Sequence, residues 1–391
     1  MPGEAVTLQL GHYSGCVGAH WWGLQSSKSF ALPGLPAAPA GSQEPPSLRL
    51  WSDYLNVQLH PKSVYVIRQY LHDGDCGCLG AFGQGESLLQ DSACVEELED
   101  RLHFFVEECD YLQVHTFSRL PWPPRNVLLQ LKQNPSCCPC FPQGFQVLCD
   151  LHDGFSGVGA KVTELLQDEY SRKGILTWGL TPALSPVGDP QKSFCRLMNT
   201  ALGIAHLSRH SSLFCPLSLS GTLGIKPEPP VTFPYINYNA SLNYHSSSIL
   251  AAALDTFTAP YRLCSSQGSM LHFADSLTFS GRKVRTPSSC APAFFSPLLT
   301  RRGFLLDKAQ GISSAGVGSI PVLAALQSCP GLARLLRGLC RELRARRCSS
   351  SCAAGLEHDD FQEALEEMKS LAQCYETGFG ADGSEDEADS D

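Results

Sequence analysis

The sequence has no apolar run near the ~18 residues that a membrane-crossing helix requires, so no helical span is expected. It begins Met1-Pro-Gly-Glu-Ala-Val-Thr, without a basic segment followed by an apolar one, and its first basic residue is Lys28. Neither a secretory signal nor an Arg-rich presequence is read there, and a cytosolic protein is expected. Charge is sparse, at 17% of residues, and the 29 Lys and Arg are outnumbered by 38 Asp and Glu. That balance argues against a dedicated nucleic-acid binder. The 18 cysteines are spread thinly from Cys16 to Cys374, and in a reducing compartment they are expected as free thiols. Cys76-Gly-Cys78, Cys137-Cys-Pro-Cys140 and Cys348-Ser-Ser-Ser-Cys352 include no Cys-x-x-Cys pair matched by a second pair, so no metal site is read from them.

What is present is a chain of 391 residues, 43% hydrophobic, long enough for two or three domains of about 150 residues each. Ala5–Leu10 reads as a short strand running into the glycine turn Gly11-His-Tyr-Ser-Gly15-Cys-Val-Gly18 and then a helix, with residues 1–25 forming one unit. Strand, glycine loop and helix open many nucleotide-binding α/β folds. Residues 26–47, rich in Ala and Pro, read as a linker. From 48 to 280 an α/β pattern resumes. Val95, Leu98, Leu102, Phe105, Val106, Cys109 and Leu112 recur at helical spacing behind the acids Glu96, Glu97, Glu99 and Asp100. Phe145–Leu151 reads as a buried strand, Val162, Leu165, Leu166 and Tyr170 as one helix face, and Gly174–Trp178 as the next strand. Such a strand–helix–strand unit implies a parallel sheet. A helix is expected over 191–208.

Residues 281–318 read as an irregular linker and 319–380 as a C-terminal helical segment. In that segment Leu332, Leu335, Leu336, Leu339 and Leu343 make one stripe flanked by Arg334, Arg337, Arg341 and Arg344. Phe361, Leu365, Met368, Ala372 and Tyr375 make a second, beside Glu363, Glu366 and Glu367. A hairpin of opposite charge is the favoured reading; peripheral contact of the arginines with an anionic membrane surface is the other. Residues 381–391 read as an acidic disordered tail.

Gln9-Leu-Gly-His-Tyr-Ser-Gly-Cys-Val-Gly-Ala-His-Trp-Trp22 resembles the opening of tubulin, and Phe82-Gly-Gln-Gly-Glu86 resembles its Phe-Gly-Gln-Ser-Gly. Cys109-Asp-Tyr-Leu-Gln113, Gly144-Phe-Gln146 and Tyr238-Asn-Ala-Ser-Leu242 are similar to further tubulin segments in the same order. Glu97–Phe105, Leu151-His-Asp-Gly-Phe-Ser-Gly-Val-Gly-Ala-Lys161, Ala259–Leu263, Glu357–Asp360 and Ser370–Tyr375 resemble the Misato family of tubulin-related proteins. The resemblance implies a tubulin/FtsZ-like Rossmann-type parallel sheet. It also implies a role in mitochondrial distribution, morphology and fusion, exercised from the cytoplasm with protein partners at the mitochondrial outer membrane. Against that family, a core strand and an acidic loop are missing between Trp22 and Trp51, so the sheet is expected to be incomplete. The region after Lys283 is contracted as well. Residues 114–143 are a Pro- and Cys-rich insert that reads as a translated intron.

The resemblance places Gly11, His12, Gly154, Ser156 and Gly157 near the phosphates of a bound GTP. A phosphate loop needs consecutive backbone N–H groups converging on the anion, with glycines that let it approach. Here the run is eroded: Asp153 and Phe155 stand where Gly and Thr are found in tubulin, and a carboxylate repels a phosphate. The favoured reading is that these glycines serve tight strand-to-helix turns, with no resident cofactor and no catalytic residue; GTP binding is the alternative. A serine hydrolase built on Gly154-Phe-Ser156-Gly is the third reading, weakened by Val158 where the elbow pattern needs glycine.

Overall fold

Four short segments alternate or saturate with apolar residues in the way buried parallel strands do. In the computed structural model they form one sheet. It describes residues 5–27, 51, 59–67, 69–70, 78–109, 144–183, 190–220, 223, 230–233, 238–262, 269–278, 284, 286–290, 298–299, 305–306, 323–327, 330–345, 356 and 358–376. Strand β1 (Ala5–Leu10) leads into helix α1 (His12–Ser27), and α2 (Phe82–Leu88) and α3 (Ser92–Glu108) follow. Next come β2 (Gly144–Asp150), α4 (Phe155–Glu169), β3 (Gly174–Thr181), α5 (Pro190–His210) and β4 (Leu213–Ser218). The order in the sheet is β1-β2-β3-β4, every pairing parallel. Leu8 lies directly opposite Val147. The two glycine-turn strands, 139 residues apart at Leu8 and Val147, are therefore neighbours in one layer, as the tubulin-like reading requires.

Alternation assigns the two faces. Phe145, Val147 and Cys149 of β2 join a core with α2, α3, α4 and α5. Leu148 on the other side joins Tyr13, Val17 and Trp21 of α1 and the helices α6 (Asn243–Arg262) and α7 (Met270–Leu277). Gln146 also points this way and accepts a hydrogen bond from the Tyr261 hydroxyl at 2.9 Å. Asp150, next but one along the same face after Leu148, is thereby aimed at the start of α1.

The stretch 281–318, expected to be irregular, holds three short strands. They are β5 (Thr286–Cys290), β6 (Leu298–Leu299) and β7 (Leu305–Leu306); β5 pairs antiparallel with β8 (Leu323–Gln327), and β6 pairs with β7. Thr-Pro-Ser-Ser-Cys has little β-propensity of its own, so its strand form comes from a distant partner rather than from local pattern. The insert 114–143, the tail 381–391 and all but the first residues of the 26–47 linker lie outside the described residues.

The C-terminal helices α8 (Pro330–Ala345) and α9 (His358–Glu376) pack as the expected hairpin. Leu332, Leu336, Leu339 and Leu343 face Leu365, Met368, Ala372 and Tyr375, all buried in the α5-side core. Arg337 pairs with Glu376, and Arg344 with Glu366 at 3.2 Å. Arg209 of α5 grips α9 through Glu363 at 2.8 Å and Glu367 at 2.9 Å. Tyr375 completes the attachment: its hydroxyl donates to the Val284 carbonyl at 2.6 Å and accepts from the Val284 N–H at 2.8 Å. Val284 itself bridges to Phe214 of β4. Tyr375→Phe leaves a buried N–H and C=O unpaired and is expected to cost about 2 kcal/mol in urea denaturation. A change within ~0.5 kcal/mol would show that this link is idle.

Among the described residues β1 pairs with β2 alone, although Val6 and Leu8 are buried. An edge strand with an apolar face leaves backbone groups open to wrong partners. The isolated chain is therefore expected to melt below ~55 °C, at the low end for domains of this kind; a cooperative melt above that temperature would contradict the expectation.

Candidate functional site at the strand ends

The turns after β1 and β2 lie side by side at the carboxyl edge of the sheet, where open α/β folds bind ligands. Gly11 and His12 begin α1, and Gly154, Ser156 and Gly157 begin α4, so the structure does bring the five residues singled out in the sequence to one edge. What surrounds them was not foreseen.

Asp150, wholly buried, points its carboxylate into the first turn of α1. Oδ2 accepts the Tyr13 N–H at 2.8 Å; Oδ1 accepts the Ser14 N–H at 2.7 Å and the Ser14 hydroxyl at 2.5 Å. Gly11 adopts φ +113°, and a Cβ there would stand 2.3 Å from Asp150 Oδ2. Glycine is thus needed both for the left-handed turn and for the approach of the carboxylate. Burial pushes the Asp150 pKa up to about 7 in spite of those three hydrogen bonds.

At the second turn the donors are also engaged within the chain. Phe155 N–H meets Asp153 Oδ1 at 3.0 Å, and the Ser156 hydroxyl donates to the Asp153 carbonyl at 2.7 Å. Gly154 N–H donates to Leu79 O, and the Gly157 and Val158 N–H groups donate to Gly154 O. Ser156 is fully buried, so its hydroxyl is not presented as a nucleophile would be. The glycines here admit α2. A Cβ on Gly85 would fall 1.9 Å from Gly154 O, and one on Gly157 would fall 2.0 Å from Phe82 O. Asn199 of α5 fastens the assembly: its Oδ1 accepts the Phe82 N–H at 2.9 Å, and its Nδ2 donates to Gly80 O at 2.7 Å and His152 O at 3.2 Å. Gln84 caps its own helix by accepting the Gly80 and Ala81 N–H groups.

The potential ligand atoms of Asp150, His152 and Asp153 all lie within 4.8 Å of one another. Burial lowers His152 to about 3 and raises Asp153 well above the usual carboxylate range, the neighbouring Asp150 adding to that rise. By residue type the trio could hold a cation; no sequence motif pointed to it. Of the cysteines in the three clusters read from the sequence, only Cys78 is described, and it is a free thiol. Among the described residues no helix is long and apolar enough to cross a membrane.

A model of the tubulin domain matches residues 138–263, the stretch from β2 to the end of α6. Protein misato homolog 1 of Homo sapiens is 40% identical over 85% of this chain and 71% of its own length. The chain belongs to the Misato family. The corresponding protein of Danio rerio is 35% identical over 88% of the chain and 72% of its own, and protein misato of Drosophila melanogaster is 30% identical over 62% and 38%. The human alignment runs over 436 positions, more than the 391 residues of the chain, so that Misato relative carries segments absent here. The parallel layer flanked by helices is accordingly a tubulin-type α/β fold with a C-terminal helical segment.

The residues that sequence reasoning missed are Asp150 and Asn199. Asp150 carried a signal, the one charged residue of a mostly apolar strand, placed at its end before a turn. Asn199, in the middle of an amphipathic helix, carried none.

Proposed function

We propose that this Misato-family chain is a non-enzymatic regulator of mitochondrial distribution, morphology and fusion. It would act from the cytoplasm through protein partners at the mitochondrial outer membrane. The structural observation that carries the non-enzymatic half is the seating of the α2 backbone on the first turn of α4, where Gly85, Gly154 and Gly157 are consumed by helix contact. Exposed Arg334 and Arg341 on α8 leave a basic strip for peripheral contact with anionic lipid, while Arg337 and Arg344 are engaged by α9.

The test is depletion of the protein from cells followed by imaging of the mitochondrial network. Collapse or fragmentation reversed by re-expression supports the proposal; an unchanged network opposes it. The second reading, a GTP-binding tubulin-like protein, is favoured by the left-handed Gly11 and by the pairing of two glycine turns at one sheet edge. Saturable nucleotide binding would select it.

A pH dependence belongs to the same edge. Glu86 of α2 is raised to about 7, first by burial and then by Asp360 and Glu164, with Lys161 opposing. Its unfolded pKa is ~4.3. Between those values the folded state holds the proton more tightly, so the group's contribution to stability falls as pH rises through that window. Glu86→Gln is expected to stabilise the fold by about 1–2 kcal/mol at pH 8, after allowance for solvent screening, and to do nothing near pH 4.5. Equal gains at both pH values would refute the assignment.

A further inference from the structure

We propose that Asp150 is the resident anion of the β1–α1 turn: the chain's own carboxylate occupies the place where the related fold receives a phosphate. The turn is therefore closed by occupation and not by loss of its donors. This deepens the non-nucleotide half of the function proposed above and is independent of the mitochondrial half.

The donors are intact. Tyr13 N–H, Ser14 N–H and the Ser14 hydroxyl converge on one carboxylate at 2.8, 2.7 and 2.5 Å. They lie at the amino end of a 16-residue helix, where the backbone dipole and unpaired N–H groups favour negative charge. The carboxylate reaches them because Leu10 is in register with Cys149, which sets Asp150 beside Gly11. Gly11 keeps the lane clear: any Cβ at that position would collide with the Asp150 side chain. The space in front of the donors is already filled: Asp150 takes all three of them, and Asp153 sets a second carboxyl group beside it, where the Arg196 charge acts on Asp153. A dianionic phosphate would have to expel Asp150 from complete burial and then face Asp153. The GTP that the fold family implies does not fit these residues as they stand.

Truncating the side chain should turn the resident anion into an exchangeable one. Asp150→Ala leaves a carboxylate-sized gap in front of the three donors. The full-length variant is expected to melt lower than the parent. Formate should raise its melting temperature saturably by several degrees, sodium chloride at equal ionic strength should not, and the parent should respond to neither. Formate acting no better than chloride on a folded Asp150→Ala protein overturns the proposal, as does saturable binding of inorganic phosphate by the parent. If the alanine variant does not fold, the parent decides through the amide resonances of Tyr13 and Ser14. Shifts unmoved by inorganic phosphate support an internal carboxylate ligand, and shifts that follow phosphate refute it. Failure of formate rescue leaves the cellular test of the proposed function untouched, so the two can fail separately.

Discussion

Gly157→Ala should destabilise the protein by about 3 kcal/mol with no nucleotide present, the upper range for forcing one extra methyl into a packed interior. The added Cβ would stand 2.0 Å from Phe82 O and 2.9 Å from Glu86 N, both backbone atoms of α2. Backbone cannot swing aside as a side chain can, so α2 must lift from α4 and loosen the hydrogen bonds that Asn199 makes to Gly80 and Phe82. Gly85→Ala probes the same contact from the other helix, at 1.9 Å from Gly154 O, and should be at least as harmful. The midpoint of urea denaturation measures both. A near-neutral Gly157→Ala would mean that the helices stand further apart and that this glycine is free for another use.

Trp178→Ala is expected to remove about 3–5 kcal/mol, a large share of the 5–15 kcal/mol typical of a folded domain. Trp178 is completely buried at the centre of β3 and stacks on Phe257 of α6, with ring centroids 5.9 Å apart and planes inclined by 9°. The truncation opens a cavity between the sheet and α6 on the face that also holds α1. Its indole N–H has no hydrogen-bond partner among the described residues. Trp178→Phe, which keeps a ring and removes that unpaired donor, should accordingly lose less than half as much. Chemical denaturation of the two variants side by side checks the ratio; equal losses would place the energy elsewhere than in the filled volume.

The sheet was legible because parallel strands buried on both faces announce themselves as dense apolar runs. Phe145–Leu151 and Gly174–Trp178 were read within a residue or three of the observed β2 and β3. The helices α3 and α5 were legible for the same reason at the 3.6-residue period. The amphipathic C-terminal pair was also readable, its opposite charges corresponding to the ion pairs now seen. Short α2 was not read as a helix: with two glycines in Phe-Gly-Gln-Gly-Glu-Ser-Leu its form depends on the Gln84 cap and on α4 beneath it. Likewise β5 depends on β8.

At the strand ends, sequence located the turns but not their contents. Glycines mark where backbone must approach something, without saying whether that is a phosphate, a carboxylate or another helix. Here Gly11 makes room for Asp150, and Gly154 and Gly157 make room for α2. Both facts follow from register and packing across more than seventy residues of intervening chain, beyond the reach of a local motif.

The account rests on a tubulin-type layer whose ligand edge is filled by the protein itself. Calorimetric titration of the full chain with GTP and magnesium tests this most directly. No saturable heat is predicted at pH 7.5, because Asp150 already holds the donors of the first turn, and Asp153, Leu79 O and Gly154 O hold those of the second. Stoichiometric binding with a micromolar dissociation constant would contradict it.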